Sequence, residues 1–438
     1  MNRFLSFLIA AARRLLPQFY FSPRTLTPAR RRLLLASAML AAAITLAGPP
    51  AVAQSWDTAS HWTASWGAAP AAPPPDASPY AFNNQTLRLI VQSSVGGNRV
   101  RIRLSNELGA TPLRIGAARI GLRAQGSDVA PGTDRALTFG GRAGVTIPAG
   151  APALSDPVEL NLPPLAQVAV SLYLPGAVQA ATLHAQARQT GYVSPAGDHA
   201  ASASLPVQRT IAAWPFLTAL EVDGMKGAVV VLGDALVDGA RSTGDANRRW
   251  TDVLARRLQA GRDAGARPGV INRGIGGNRL LGNDPANPLA GQSALARFER
   301  DVLATSGVRQ LVLMIGIEDI GNSSAANPVT LDDMVAGYRQ LIARARAARI
   351  AVIGATLAPF EGAALYATEK ETLRQAVNAW IRTSGEFDAV FDADRVLRDP
   401  VRPSRLLPAY DSGDHLHPND RGYAALGEAM PLALPAIR

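Results

Sequence analysis

One change of rhythm governs this sequence. From Trp62 to about Leu220 apolar residues recur with period two, and beyond about Gly224 short apolar runs alternate with stretches of helical period. In the first half Val100, Ile102 and Leu104 alternate with Arg99, Arg101 and Arg103, and Val168, Val170, Leu172 and Leu174 repeat the pattern. Successive side chains of a strand point to opposite faces, so this spacing predicts half-buried strands. Gly96-Gly97-Asn98 lies between two such runs and reads as a hairpin loop, while the Ala- and Pro-rich segment Ala68 to Pro79 reads as an irregular surface loop. No helical stretch interrupts the region. Its Pro/Gly-rich connections predict an N-terminal β-sandwich or jelly roll over residues 54–222.

The second half, residues 223–438, predicts an α/β domain with a parallel sheet. Strand candidates at Ala228 to Leu232, Val270 to Asn272, Gln310 to Ile315, Ile350 to Ala355 and Ala389 to Phe391 alternate with helical stretches near 248–260, 290–305, 331–347, 368–383 and 419–430. Helix punctuation agrees. Thr368 with Glu371 three residues on reads as a capping box, Gly385 as the following stop, and Thr330 with Asp333 as another start. In an open parallel sheet the ligand site lies beyond the carboxyl ends of the strands.

A chain of 438 residues exceeds what one core holds, which agrees with two folded parts. Ahead of them Arg30-Arg31-Arg32 precedes an apolar run from Leu33 to Gly48, and Pro49-Pro50-Ala51-Val52-Ala53 supplies small residues at a cleavage position. Residues 1–53 thus read as a secretory signal peptide, too short and Ala-rich for a membrane anchor, which implies a periplasmic or extracellular protein with no stable span after cleavage. The arginines also fit a twin-arginine pattern loosely. Removing the seven arginines of residues 1–53 takes the formal charge from +10 to +3. No basic stripe interleaved with aromatics remains to hold nucleic acid. With no cysteine, disulfides, thiolate metal sites and cysteine nucleophiles are excluded.

Four segments carry the chemistry: Gly233-Asp234-Ala235-Leu236-Val237-Asp238-Gly239, Asn272-Arg273-Gly274-Ile275-Gly276-Gly277-Asn278-Arg279, Gly316-Ile317-Glu318-Asp319-Ile320-Gly321, and Asp414 to Pro418. In order, spacing and flanks they resemble the SGNH (GDSL-type) hydrolases, specifically secreted members with an N-terminal β-domain. Asn247-Arg248-Arg249-Trp250, Ala296-Arg297-Phe298 with Asp301, and Tyr410-Asp411-Ser412-Gly413-Asp414 extend the resemblance. It implies an SGNH-hydrolase-like (flavodoxin-like) parallel sheet flanked by helices.

The resemblance also implies roles. In the family a block-one serine attacks an acyl carbonyl, and its N–H joins a block-two glycine N–H and a block-three asparagine amide in the oxyanion hole. An Asp-x-x-His pair activates the serine. Here the glycine maps to Gly277 and the pair to Asp414 and His417, whereas the serine position holds Ala235 and the asparagine position holds Glu318. A histidine general base held by its aspartate needs a hydroxyl to deprotonate, and Ala235 has none. An ionised Glu318 would present acceptors where a donor belongs, and loss of one oxyanion donor costs about 2.7 to 4 kcal/mol. A protonated Glu318 still donates, which requires a raised pKa.

Neighbouring residues receive plainer readings. His415 reads as a loop histidine, although Asp414, His415 and His417 together form a conceivable metal set. Asp234 and Asp319 read as turn and loop anchors, and Gly276 and Gly277 as residues of a turn that favours positive φ. Ser242 and Ser412 lie away from the strand-end position and read as poor substitutes for the nucleophile. Trp62 and Trp66, near Tyr80, offer rings for stacking on sugars or for packing. The expected protein is an exported ester-hydrolase scaffold with little or no serine-type activity, binding a small acyl-ester or carbohydrate ligand. The alternatives are a working carboxylic-ester hydrolase that uses another nucleophile or an activated water, and a cell-envelope glycan-binding protein acting through its β-domain. Nothing in the motifs requires a cofactor or metal.

Overall fold

Strand after strand forms where the period-two pattern placed it. The structure is a computed structural model and describes residues 61–74, 78–261 and 267–433. The leader at residues 1–53 lies outside the described residues. Besides two short two-stranded sheets, the described residues of 62–223 build two large antiparallel ones. One has the order 62–67, 217–223, 97–105, 152–154, with 158–162 also paired to 97–105; the other has the order 209–211, 191–196, 81–92, 167–179, 117–122, 135–137. Val100, Ile102 and Leu104 from the first sheet and Leu87, Leu89, Val170 and Leu172 from the second share one apolar core, the arrangement of a β-sandwich.

Two local expectations fail here. Gly96-Gly97-Asn98 is not a hairpin loop, because the strands it joins, 81–92 and 97–105, belong to different sheets. The chain crosses between layers at Ser93 and Ser94, whose amides donate to the carbonyls of Ala166 and Ser65. Nor is Ala68 to Pro79 a surface loop at its start: Ala68, Ala69 and Ala71 are buried, and Ala71 bridges Leu183. Small side chains let this segment press between other elements, which composition alone cannot distinguish from a loop.

The second half forms a five-stranded parallel sheet of β1 (Ala228–Gly233), β2 (Gly269–Gly274), β3 (Val308–Met314), β4 (Ala351–Ala355) and β5 (Ala389–Phe391) in the order β2-β1-β3-β4-β5. This is the doubly wound flavodoxin-like order, whose ligand crevice lies at the β1/β3 switch point. Its helices are α1 (Ala235–Asp238), α2 (Trp250–Ala260), α3 (Ala294–Phe298), α4 (Ile317–Gly321), α5 (Leu331–Ala347), α6 (Thr368–Thr383), α7 (Ala393–Leu397) and α8 (Asp420–Ala429). Separate apolar clusters lie on the two faces of the sheet, with Val230, Leu232 and Leu311 in one and Val229, Val231 and Val312 in the other. Thr330 and Asp333 form the expected capping box of α5. The box expected at Thr368 does not form. Ala367 is the N-cap residue, and Glu371 is buried in an ion pair with Arg374, whose guanidinium needs that charge more than the helix end does.

The described residues pack as one compact unit. One edge strand of the parallel sheet is β2, and the sandwich covers it. Ala64 joins the α/β core and donates its N–H to Ser306, while Val270 of β2 donates to the Ser94 hydroxyl at 2.9 Å. The fully buried Arg273 reaches across and donates to the carbonyls of Ala68 at 2.6 Å and Thr218 at 3.1 Å. Among the described residues no helix is long and apolar enough to cross a membrane.

Candidate active site

The site is assembled where strand register aligns three carboxyl ends. Gly233 of β1 is level with Gly274 of β2 and Met314 of β3, so the three motif loops leave the sheet together. Gly233 must be glycine: a Cβ there would lie 2.2 Å from Val237 and 2.3 Å from the Met314 carbonyl. Asp234 then caps α1, its carboxylate accepting the N–H of Leu236 at 3.0 Å, and Ala235 is the first residue of that one-turn helix. Ala235 thus sits on the sharp strand-to-helix turn with only a methyl group to present.

Arg297 ties the loops together from below. Wholly buried, it donates from Nη2 to the Gly233 carbonyl, from Nη1 to the Arg273 carbonyl, and from Nε and Nη2 to the Asn278 side chain. Asp301 neutralises it at 2.9 Å. Asp319 does the same work from block three, accepting the amides of Leu280 and Leu281 at 2.7 and 2.9 Å. Between them Gly277 takes φ of +80°, which glycine permits, in a turn closed by the Asn278 N–H on the Ile275 carbonyl.

The Asp414 and His417 pair is formed. His417 Nδ1 lies 2.9 Å from Asp414 Oδ2, and the amides of His417 and Leu416 donate to Asp414 Oδ1. Partial burial pushes the Asp414 carboxyl up, but these donors overcome it and hold it well below the usual carboxylate range. Assigning the Nδ1 proton to this bond leaves Nε2 of a neutral ring as the basic nitrogen. Arg241, six residues beyond Ala235, donates to Asp414 Oδ2 at 2.9 Å. Nothing in the sequence marked it, since its approach depends on a left-handed backbone conformation at φ +68°.

Opposite this base stands an acidic group. Glu318 is buried in α4, its Oε2 accepting from Asn322 at 3.2 Å. Burial raises its pKa, and His417, Asn322 and Arg279 restrain the rise. Asp234 is pushed up to about 8, first by burial and then by the Glu318 carboxylate. Burial raises Asp319 to about 6 against the pull of its two backbone donors. Three carboxyl groups therefore crowd the block-one and block-three loops, and Asp234 holds a proton at neutral pH. An apolar cleft lined by Leu236, Met314, Ile317, Leu357, Ala358 and Leu416 opens beside Asp234.

The geometry brings Ala235, Gly277, Glu318, Asp414 and His417 to one end of the sheet, and residues 231–425 match the profile described as the GDSL-like Lipase/Acylhydrolase family. This stretch of the chain is a GDSL-like lipase/acylhydrolase domain. No curated protein matches the chain. Solved structures similar to part of this chain include an aryl esterase from M. smegmatis, 17% identical with a TM-score of 0.37, the alignment covering 46% of this chain and 95% of that one. Another is the acetylxylan esterase Axe2 from Geobacillus stearothermophilus, 21% identical with a TM-score of 0.35, covering 47% and 94% respectively.

Other candidates in and around the GDSL domain are occupied elsewhere. Ser242 is buried and donates to the Gly239 carbonyl, and Ser412 donates to Asp414 Oδ1 at 3.1 Å. His415 pairs with Asp411 rather than joining His417, and among the described residues no group of three potential ligands is placed to hold a metal. Trp66 is buried edge-on against Trp214, and Trp62 lies beneath Arg101 at 4.3 Å, so both rings are engaged within the protein.

Proposed function

We propose that this chain is an exported ester-recognising protein that holds a short acyl ester, free or carried on a carbohydrate, without serine-type turnover. One observation carries the reading: the Asp414–His417 pair is formed, while the strand-to-helix turn after β1 presents Ala235, which has no hydroxyl to activate. The leader-like residues 1–53 support export to the periplasm or beyond. The apolar cleft beside Asp234 suits a short acyl group. The experiment is hydrolysis of p-nitrophenyl acetate by the chain and by its Ala235→Ser, Glu318→Asn double variant, with calorimetric titration of the unaltered chain by acetylated xylo-oligosaccharides. Turnover in the double variant alone, with binding in the unaltered chain, is the expected result. Equal turnover in both overturns the reading.

A second reading is favoured by the raised pKa of Glu318 beside His417. His417 takes a proton from water as its oxygen adds to the acyl carbonyl, while protonated Glu318 donates to the carbonyl oxygen. Collapse returns the proton on the carbonyl oxygen to Glu318 and passes the histidine proton to the leaving alkoxide, giving acid and alcohol. Unchanged turnover in Glu318→Gln sinks this route.

A further inference from the structure

His184 belongs to the β-sandwich, yet its ring is built into the floor of the hydrolase-like half. It is buried, with Nδ1 2.9 Å from the Ala69 carbonyl and Nε2 3.0 Å from Asp238 Oδ1. Nε2 is also 3.3 Å from the carbonyl of Gln186. Both ring nitrogens therefore face acceptors. A neutral imidazole carries one N–H and one lone pair, so it would leave a lone pair pressed against a carbonyl or carboxylate oxygen in a buried site. Only the imidazolium donates at both ends.

Asp238, the last residue of α1, passes this contact on. Its second oxygen, Oδ2, accepts the N–H of Gly276 at 3.1 Å, immediately before Gly277. The sandwich thus reaches the block-two loop through one carboxylate. We propose that His184 is a positioning residue, a buried imidazolium that fixes Asp238 and through it the Gly276–Gly277 loop, and that releases the loop when it loses its proton. The clamp stands whether or not the site turns over an ester.

The surrounding charges set its titration. Burial opposes the charged ring, and the Asp238 carboxylate overcomes that cost and raises the His184 pKa above its ordinary value. Arg249, at the start of α2, pushes the other way; it donates to the Asp238 carbonyl at 2.9 Å and lies over Trp214, whose ring is 5.5 Å from His184. Asp252 offsets Arg249, accepting its backbone N–H at 2.9 Å and pairing with its guanidinium at 3.6 Å. Arg188 donates to the Gln186 side chain at 3.3 Å, and Tyr423 donates to the Ala240 carbonyl at 2.7 Å behind α1. A raised base contributes its stabilisation below its unfolded value and loses it as pH rises through the folded one. The loop is therefore held at acidic and neutral pH and loosens on the alkaline side.

The test is nuclear magnetic resonance of the full, isotopically labelled chain, following the His184 ring nitrogens and the Gly276 amide from about pH 6 to pH 10. Two protonated ring nitrogens at neutral pH are expected, with an alkaline transition whose midpoint the Gly276 amide shares. In His184→Gln the Gly276 transition disappears, and in Asp238→Asn the His184 midpoint falls. A singly protonated ring at pH 7, or a Gly276 transition unmoved by His184→Gln, overturns the proposal. The unaltered chain decides the first point even if neither variant folds.

Discussion

Arg297 donates from Nη2 to the carbonyl of Gly233 at 2.9 Å, joining a residue of the third helix to the last residue of β1. The same guanidinium holds the Arg273 carbonyl at 2.8 Å and is paired with Asp301, both side chains being buried. Removing one partner of a buried ion pair leaves the other charge uncompensated, at a cost of about 3–5 kcal/mol. Arg297→Met is expected to fall in that range in urea unfolding. Adding Asp301→Asn should not recover the loss, since Asp301 also pairs with Arg300 at 2.8 Å and its removal takes that partner away as well.

The sandwich and the parallel sheet should not separate. Ala64 fills the α/β core, and Arg273 finds its acceptors on Ala68 and Thr218, all supplied from the N-terminal half. Without that half, β2 becomes an exposed edge and Arg273 loses the carbonyls that satisfy it. Burial already lowers the Arg273 pKa to about 10. Residues 224–438 expressed alone are expected to lack a cooperative thermal transition by circular dichroism and to aggregate on size exclusion. A monomeric fragment melting cooperatively would show that the covered edge is dispensable.

Restoring the hydroxyl alone should not restore full turnover. On the proposed reading Ala235→Ser returns a nucleophile to the His417–Asp414 pair but leaves Glu318 at the position that calls for a neutral donor. One oxyanion donor is worth about 10²–10³ in rate. The double variant Ala235→Ser, Glu318→Asn is therefore expected to exceed Ala235→Ser by about that factor in kcat on p-nitrophenyl acetate. His417→Ala in the double background should remove the gain.

Why so much of this was legible can be traced to particular residues. Val229 to Leu232 are apolar on both faces, as a strand with helices on either side must be, and the motif loops follow such strands. The positions of the first three motif loops were readable because a strand end fixes its loop. Partners brought from elsewhere were not: Arg241 approaches Asp414 only through a left-handed turn, and His184 reaches Asp238 only because the sandwich docks on β2. Alternation also hides what both faces bury. Arg88, between Leu87 and Leu89, looks solvent-facing in sequence, yet it is fully buried and donates to Ser171 and to the carbonyls of Ser127 and Ser202. Such satisfaction depends on loops more than 30 residues away, which no local period encodes.

Asp234 should make the protein less stable as pH rises. Its folded pKa is about 8, raised by burial and by the neighbouring Glu318 carboxylate, against an ordinary value near 3.8. Across that window the folded state holds a proton that the unfolded state has released. The contribution of Asp234 is therefore greatest below the ordinary value and declines as pH rises to about 8, by at most ~1.4 kcal/mol per pH unit. Asp319, raised to about 6, steepens the lower part of the same decline. Asp234→Asn keeps the acceptor that caps α1 through Leu236 and removes the titration. The variant is expected to melt higher than the unaltered chain at pH 8, to match it near pH 4, and to show a flatter profile between. Parallel melting profiles for the two proteins would mean that Asp234 ionises normally and that the carboxyl groups of Asp234 and Glu318 do not share one pocket.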